Sequence, residues 1–215
     1  MSPATASAPS PDEPSQGRVY AGRRPDERRA ARQQAMLDAG LEVFGTHGFA
    51  DATIGLLCST ARVGTRAFYE AYDSRESLLL EVATIVVLEG VRALQDAVDA
   101  APPTLEGRVR AGLSAYLCFL TDDPRRVRVA YSAAPAAGEL TADRHRACLG
   151  FAELIAEQTA GLVIAPRAVR NPLLALALTG AVGELLGWWA DQPAPPPVED
   201  LVEELVELFL RALRP

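Results

Sequence analysis

Residues 36–82 read MLDAGLEVFGTHGFADATIGLLCSTARVGTRAFYEAYDSRESLLLEV, and this stretch decides the fold. Leu37, Gly40, Leu41 and Phe44 fall at i, i+3, i+4 and i+7, one face of a helix that His47-Gly48 should stop. Thr53 carries the oxygen needed to cap a short second helix, predicted from Ile54 to Ala61. Arg62-Val63-Gly64 then makes a three-residue turn into a third helix, predicted from Thr65 to Tyr72. Asp73-Ser74 caps a long fourth helix reaching about Ala100, with Glu76 in its first turn, where the helix dipole favours an acid. Two short helices joined by a tight turn and propped on both sides suit a helix-turn-helix. In that motif the second helix brings its N-terminal residues to base edges in a major groove about 12 Å wide.

Downstream the pattern stays helical. Helices are predicted over 104–122, from Asp123-Pro124 to about Ala134, and over 138–163, 173–191 and 198–214. No run alternates apolar and polar residues between turn signals, so no strand is expected. The fold class is all-α with about nine helices. Residues 1–22, rich in Pro, Ser and Ala, read as a disordered arm. Residues 23–73 are expected to form a three-helix helix-turn-helix domain, and 74–215 a helical domain for ligand binding and dimerisation.

The chain has 215 residues, 49% hydrophobic and 23% charged, which excludes a wholly disordered polymer and suffices for a core. Cys58, Cys118 and Cys148 are too few and too scattered for a disulfide framework, and no Cys/His cluster offers a metal site. They read as reduced thiols of a cytoplasmic protein, with no cofactor expected. The N-terminus lacks the basic-then-apolar order of a signal peptide. The longest uncharged run in the body, 171–183, is thirteen residues, short of the ~18 a membrane helix needs, so no membrane partner is expected. All 21 basic residues are arginine, and the net charge is −7. The charge is uneven: 17–75 hold nine Arg against seven acids, whereas 81–215 hold twelve against eighteen. A mildly basic front and an acidic back suggest two tasks in one chain.

The front stretch resembles the N-terminal domain of the tetracycline-repressor (TetR) family of transcriptional regulators. The matching elements are LDAGLEVFGTHGF with its Gly-aromatic end, Ala-Thr-Ile opening the second helix, and Ala61-x-Val63. Ala-Phe-Tyr in the third helix and Asp-Ser-Arg-Glu-Ser-Leu opening the fourth complete the set. The resemblance covers roughly 28–83. It implies a bacterial, non-enzymatic DNA-binding regulator, most simply a ligand-responsive repressor that binds a palindromic operator in double-stranded DNA as a homodimer. It further implies phosphate contacts from Thr53, Tyr69 and Arg75, and base reading by Thr65, Arg66 and Ala67. Free N–H groups at helix N-termini suit phosphate, and an arginine fork suits guanine O6 and N7. Two residues depart from the family turn, which usually reads Gly-Val-Ser. Arg62 stands where glycine supplies a left-handed backbone, at a cost of about 1–2 kcal/mol. Gly64 replaces the serine cap, a loss of a few tenths of a kcal/mol.

In the back half, Tyr116, Phe119, Tyr131 and Phe151 lie on apolar helix faces and are the candidate lining for a small-molecule effector, with plain core packing as the alternative. Arg92 and His145 are candidate polar anchors. His145 and Cys148 have i, i+3 spacing, but no third member or oxyanion donor accompanies them, so no catalytic residue is assigned. Gly180, Gly183 and Gly187 leave room for a second helix. The final helix is apolar over a wide arc, and Leu185, Trp188, Trp189, Leu205 and Phe209 are the candidate dimer interface. The competing reading is a helical small-molecule-binding or interaction protein that keeps the fold without specific DNA binding.

Overall fold

The computed structural model describes residues 25–132 and 172–213. Among these residues there are eight α-helices, one π-helical turn and no strand. The helices are α1 (Pro25–Asp51), α2 (Ile54–Ala61), α3 (Thr65–Tyr69), α4 (Arg75–Ala100), α5 (Leu105–Thr121), α6 (Pro124–Val127), α7 (Pro172–Ala190) and α8 (Val198–Leu213). The first 24 residues, the helix expected over 138–163, Phe151, His145 and Cys148 lie outside the described residues.

Two apolar clusters organise the chain. In the first, Met36, Val43 and Phe44 of α1 meet Leu57 of α2, Phe68 of α3, and Leu78, Leu79 and Val82 of α4. Gly40 makes this packing close, because a Cβ there would stand 2.8 Å from Val82 Cγ2. Gly48 adopts φ 74° and ψ 170°, so α1 breaks where the His47-Gly48 pair predicts it. The second cluster joins Val86 of α4 and Leu117 and Leu120 of α5 to Leu178, Val182 and Leu186 of α7 and to Leu201 and Leu205 of α8. α4 is therefore the spine shared by both halves. By length and composition alone, Leu173–Ala190 is apolar enough to cross a membrane. Its Leu178, Val182 and Leu186 are nevertheless buried in the protein's own core.

The single helix expected from Asp123 to Ala134 is instead α6 followed by the π-helical turn Arg128–Ser132. Asp123 caps α6, accepting from Arg125 N at 3.1 Å, and Pro124 opens it. The wider turn lets neighbouring residues serve different halves: Val129 enters the front cluster, while Tyr131 packs against the rear one. Its ring faces Gly183 of α7, where a Cβ would approach Tyr131 Cε1 to 3.0 Å. Gly183 and Gly187 thus admit Tyr131 within the chain, a correction to their reading as sites of helix-helix approach. Gly180 has nothing within 4 Å of a Cβ.

The seam between the halves lies where α6 crosses α1. Arg125 pairs with Glu42 of α1 and, at 2.7 Å, with Asp123. Arg128 Nη1 donates to Gly45 O at 3.3 Å. The same guanidinium of Arg125 holds the Asp123 carboxyl below its ordinary pKa range. A Cβ on Gly45 would lie only 2.8 Å from Arg125 Cα, a backbone atom that cannot rotate away. Alanine normally gains about 1 kcal/mol over glycine inside a helix. At Gly45 the overpacking cost of about 1–3 kcal/mol outweighs that gain. Gly45→Ala is expected to lower the melting temperature, while Gly180→Ala, which meets open space, is expected to raise it. Thermal melts of the two variants check the sign; a rise for both would show that the seam has slack.

Candidate nucleic-acid interface

The corner between α2 and α3 is built from backbone hydrogen bonds. Thr53, in extended conformation, caps α2 by accepting from Leu56 N at 3.1 Å. At the other end Arg62 N donates to Ser59 O at 3.2 Å and Val63 N to Cys58 O at 3.0 Å. This pair of bonds is a Schellman motif, whose key residue must adopt the left-handed conformation. Arg62 does so, with φ 56° and ψ 40°, the only non-glycine residue with positive φ among those described. Gly64 then opens α3 with its carbonyl alone, accepting from Ala67 N at 2.9 Å, and offers no side-chain cap.

α3 is shorter than expected, ending at Tyr69 rather than Tyr72, and the chain continues through a turn in which Tyr72 N donates to Phe68 O at 2.8 Å. Both Phe68 and Tyr72 are buried, and they draw the chain inward. Opposite them Thr65, Arg66, Tyr69 and Glu70 are exposed. The Arg66 side chain is 93% exposed and Tyr69 58%. The Tyr69 ring stands edge-on to Phe68, 5.5 Å between centroids at 88°, which anchors its base and leaves the hydroxyl end outside. Arg66 Nε donates to Glu70 Oε1 at 3.0 Å. Ala67 is half-buried and lines a cleft of about 400 Å³ that it shares with Arg29, Arg32, Gln33 and Glu70, so it faces α1 rather than open solvent.

Arg75 takes a role the sequence did not reveal. Its Nη1 donates to Phe49 O, at 3.3 Å, and to Ala52 O, and its guanidinium carbon lies 4.6 Å from the Phe49 ring centroid. It fastens the end of α1 and the start of α2 to the first turn of α4. One nitrogen of the fork is committed there; a phosphate contact would fall to Nε and Nη2. The presence of arginine where the family usually has lysine was the available signal, because a planar guanidinium can stack on an aromatic face and still keep nitrogens free after bonding the two carbonyls. Ser74 and Ser77 complete this corner with a reciprocal capping box, both bonds 3.2 Å. Cys58 is buried, and burial pushes its thiol upward, away from reactive thiolate.

The rear candidates are placed differently from one another. The Tyr116 and Tyr131 hydroxyls share a 2.6 Å hydrogen bond, with Tyr116 buried against Gly90 of α4. Phe119 packs under the Arg126 guanidinium, 4.3 Å from its ring centroid. Trp188 is 50% exposed and Leu185 half-buried. Trp189, Leu205 and Phe209 lie in the protomer's own core, with Trp189 Nε1 donating to Pro196 O at 2.8 Å. The wide apolar arc of α8 is taken up by α5 and α7, and the Arg110–Glu203 ion pair ties α8 to α5. In this conformation those three side chains are not available to a second copy.

Residues 36–82 match the N-terminal domain described as bacterial regulatory proteins, tetR family. The sequence matches no curated protein. Among solved structures, a TetR-like transcriptional regulator from Rhodococcus sp. RHA1 is 26% identical with a TM-score of 0.58, covering 84% of this chain and 96% of its own. The fatty acid degradation regulator FadR from Bacillus halodurans is 17% identical with a TM-score of 0.69, covering 84% and 99%. FadR from Bacillus subtilis, solved in complex with stearoyl-CoA, is 16% identical with a TM-score of 0.67 over the same shares.

The turn makes a stability test. Glycine at position 62 removes about 1–2 kcal/mol of left-handed strain and adds about 0.5–1 kcal/mol of unfolded-chain entropy. Arg62→Gly is therefore expected to stabilise the protein slightly. Gly64→Ser adds a capping oxygen where a Cβ meets nothing within 4 Å, for a further few tenths of a kcal/mol. Calorimetry should show both melting temperatures raised by roughly 1–4 °C; a drop for Arg62→Gly would mean that the turn is not strained.

Proposed function

We propose, from the premise that the helix-turn-helix domain of this DNA-binding regulator is that of the tetR family, that the chain is a ligand-responsive repressor. Two copies would hold a palindromic operator, with residues 23–73 reading DNA and 74–215 binding effector and partner. One observation carries this reading: α3 exposes Thr65, Arg66 and Tyr69 while Phe68, fully buried, locks the helix from behind. Tyr69 and Thr53 serve phosphate, and Arg66 reads bases beside Thr65. Arg75 holds the corner in shape and offers its remaining nitrogens to phosphate.

The effector belongs to the rear half, around Tyr116, Phe119 and Tyr131. An apolar molecule with one or two polar groups fits their chemistry, and the stearoyl-CoA held by the Bacillus subtilis FadR structure supports the apolar class. A ligand that fits one arrangement of this region better than another shifts the population of headpiece positions, and the operator loses simultaneous grip at its two half-sites. Two sites about 34–36 Å apart require a dimer. Support for the dimer face comes from Trp188 and Leu185 on α7 and from Leu208 on α8, which is 43% exposed. The cytoplasm, where such DNA lies, is the compartment this reading requires.

A gel-shift with the DNA upstream of the protein's own gene is the direct test: a discrete complex supports the reading, and no complex leaves a helical binding protein that does not read DNA. Tyr69→Phe keeps the ring packing and removes the hydroxyl, so binding is expected to weaken about 3–10-fold for all sequences alike. A change in base preference instead would take Tyr69 off phosphate. Trp188→Glu should give monomers in sedimentation while helicity is retained. A wild type sedimenting at 22.9 kDa at low micromolar concentration would remove the dimer.

A further inference from the structure

We propose that Glu70 is a specificity-determining residue of this interface: its carboxylate holds the Arg66 guanidinium in the orientation that reads guanine. The proposal rests on the reading of Arg66 as a base contact and names what regulates that contact. At 100° per residue, Thr65, Tyr69 and Arg66 of α3 and Glu70 at its C-cap, whose backbone is still helical, cover an arc of roughly 140°, the exposed arc, with Phe68 on the far side. Glu70 is the one acid in this face, one turn after Arg66.

As a source of stability the pair counts for little. An exposed i, i+4 ion pair is screened by water and salt and must hold two long side chains in one geometry. As a source of affinity the carboxylate is adverse, because a negative charge on a groove-facing helix repels phosphate. What the geometry supplies is orientation. Glu70 Oε1 accepts from Nε at 3.0 Å, the nitrogen nearest the chain. That bond fixes the guanidinium plane and leaves Nη1 and Nη2 at the free end, the parallel donors that match guanine O6 and N7. Arg66 projects 93% exposed from a helix without a side-chain cap, and Glu70 is the residue that holds its guanidinium. A free arginine gives up rotamer freedom on binding any base; one already held loses less and tolerates fewer poses.

The experiment is selection from a randomised duplex library by the full-length wild type and by Arg66→Ala, Glu70→Ala and Glu70→Gln, followed by binding curves on selected and unselected duplexes. The expected result has three parts. Wild type selects a guanine in each half-site that Arg66→Ala no longer requires. Glu70→Ala lowers the preference for that guanine about 3–10-fold while tightening binding to unselected DNA. Glu70→Gln, whose amide oxygen still accepts from Nε, keeps most of the preference with the same change in charge. The Gln–Ala difference separates positioning from charge, and all four proteins should melt alike because both side chains are exposed. If both Glu70 variants select the same guanine as strongly as wild type, the proposal is overturned while the reading of Arg66 stands. If Arg66→Ala leaves the selected sequence unchanged, Arg66 reads no base, and the proposal falls together with that reading.

Discussion

A helix of five residues does not hold itself up. The cost of nucleating a helical turn is not recovered over so short a span, so the pose of α3 depends on what it is packed against. That anchor is Phe68, buried in the same cluster as Leu57 and Leu78. Burying such a side chain contributes about 1.5–3 kcal/mol, enough to offset the strain of about 1–2 kcal/mol that Arg62 accepts in the turn before it. The exposed array on the other face is only as well placed as this one contact. Tyr69 inherits it directly through the edge-on packing of its ring on Phe68.

The front half is in turn held by the rear at one close seam. Gly45 lets α6 approach α1, Arg125 and Arg128 bond across the gap, and the π-helical turn that follows sends Val129 forward and Tyr131 back. Two residues apart, these side chains report to different cores. The Tyr131 hydroxyl meets Tyr116 at 2.6 Å, so the rear candidates for effector binding and the docking surface of α1 are joined by a single short segment. This segment therefore bridges the two clusters beside the long spine of α4.

What was legible in the sequence was local. Thr53 and the turn after Ala61 gave the bounds of α2, Gly48 gave the break in α1, and the left-handed state of Arg62 followed from the resemblance to a Gly-Val-Ser turn. What local patterns do not show depends on residues far apart in the chain. Arg75 finds its partners at Phe49 and Ala52 only once α4 has docked on the end of α1. The arc of α8 is wide because α5 and α7 cover it together, which periodicity alone cannot separate from a partner chain. The π-helical turn is set by two cores pulling on adjacent residues, and Tyr131 fills the space that glycines in α7 leave. Glu70 escaped notice because an acid near a DNA-facing helix reads as solvated surface until its bond to Arg66 is seen.

The net charge of −7 does not weigh against DNA once its placement is known. Glu199, Asp200, Glu203, Glu204 and Glu207 all lie on α8, which packs in the rear cluster, whereas α3 belongs to the front one. One of these acids is already paired with Arg110 of α5 and another with Arg211. At ~0.1 M salt, exposed charges are screened beyond about 10 Å, so steering toward phosphate is governed by the front segment, where nine arginines face seven acids over 17–75. Of those acids Glu42 is taken up by Arg125 at the seam, and Glu70 by Arg66 on α3. The Glu70 carboxylate is thus already bonded to the Arg66 guanidinium, so in the proposed interface it both orients that arginine and offsets part of the attraction to phosphate.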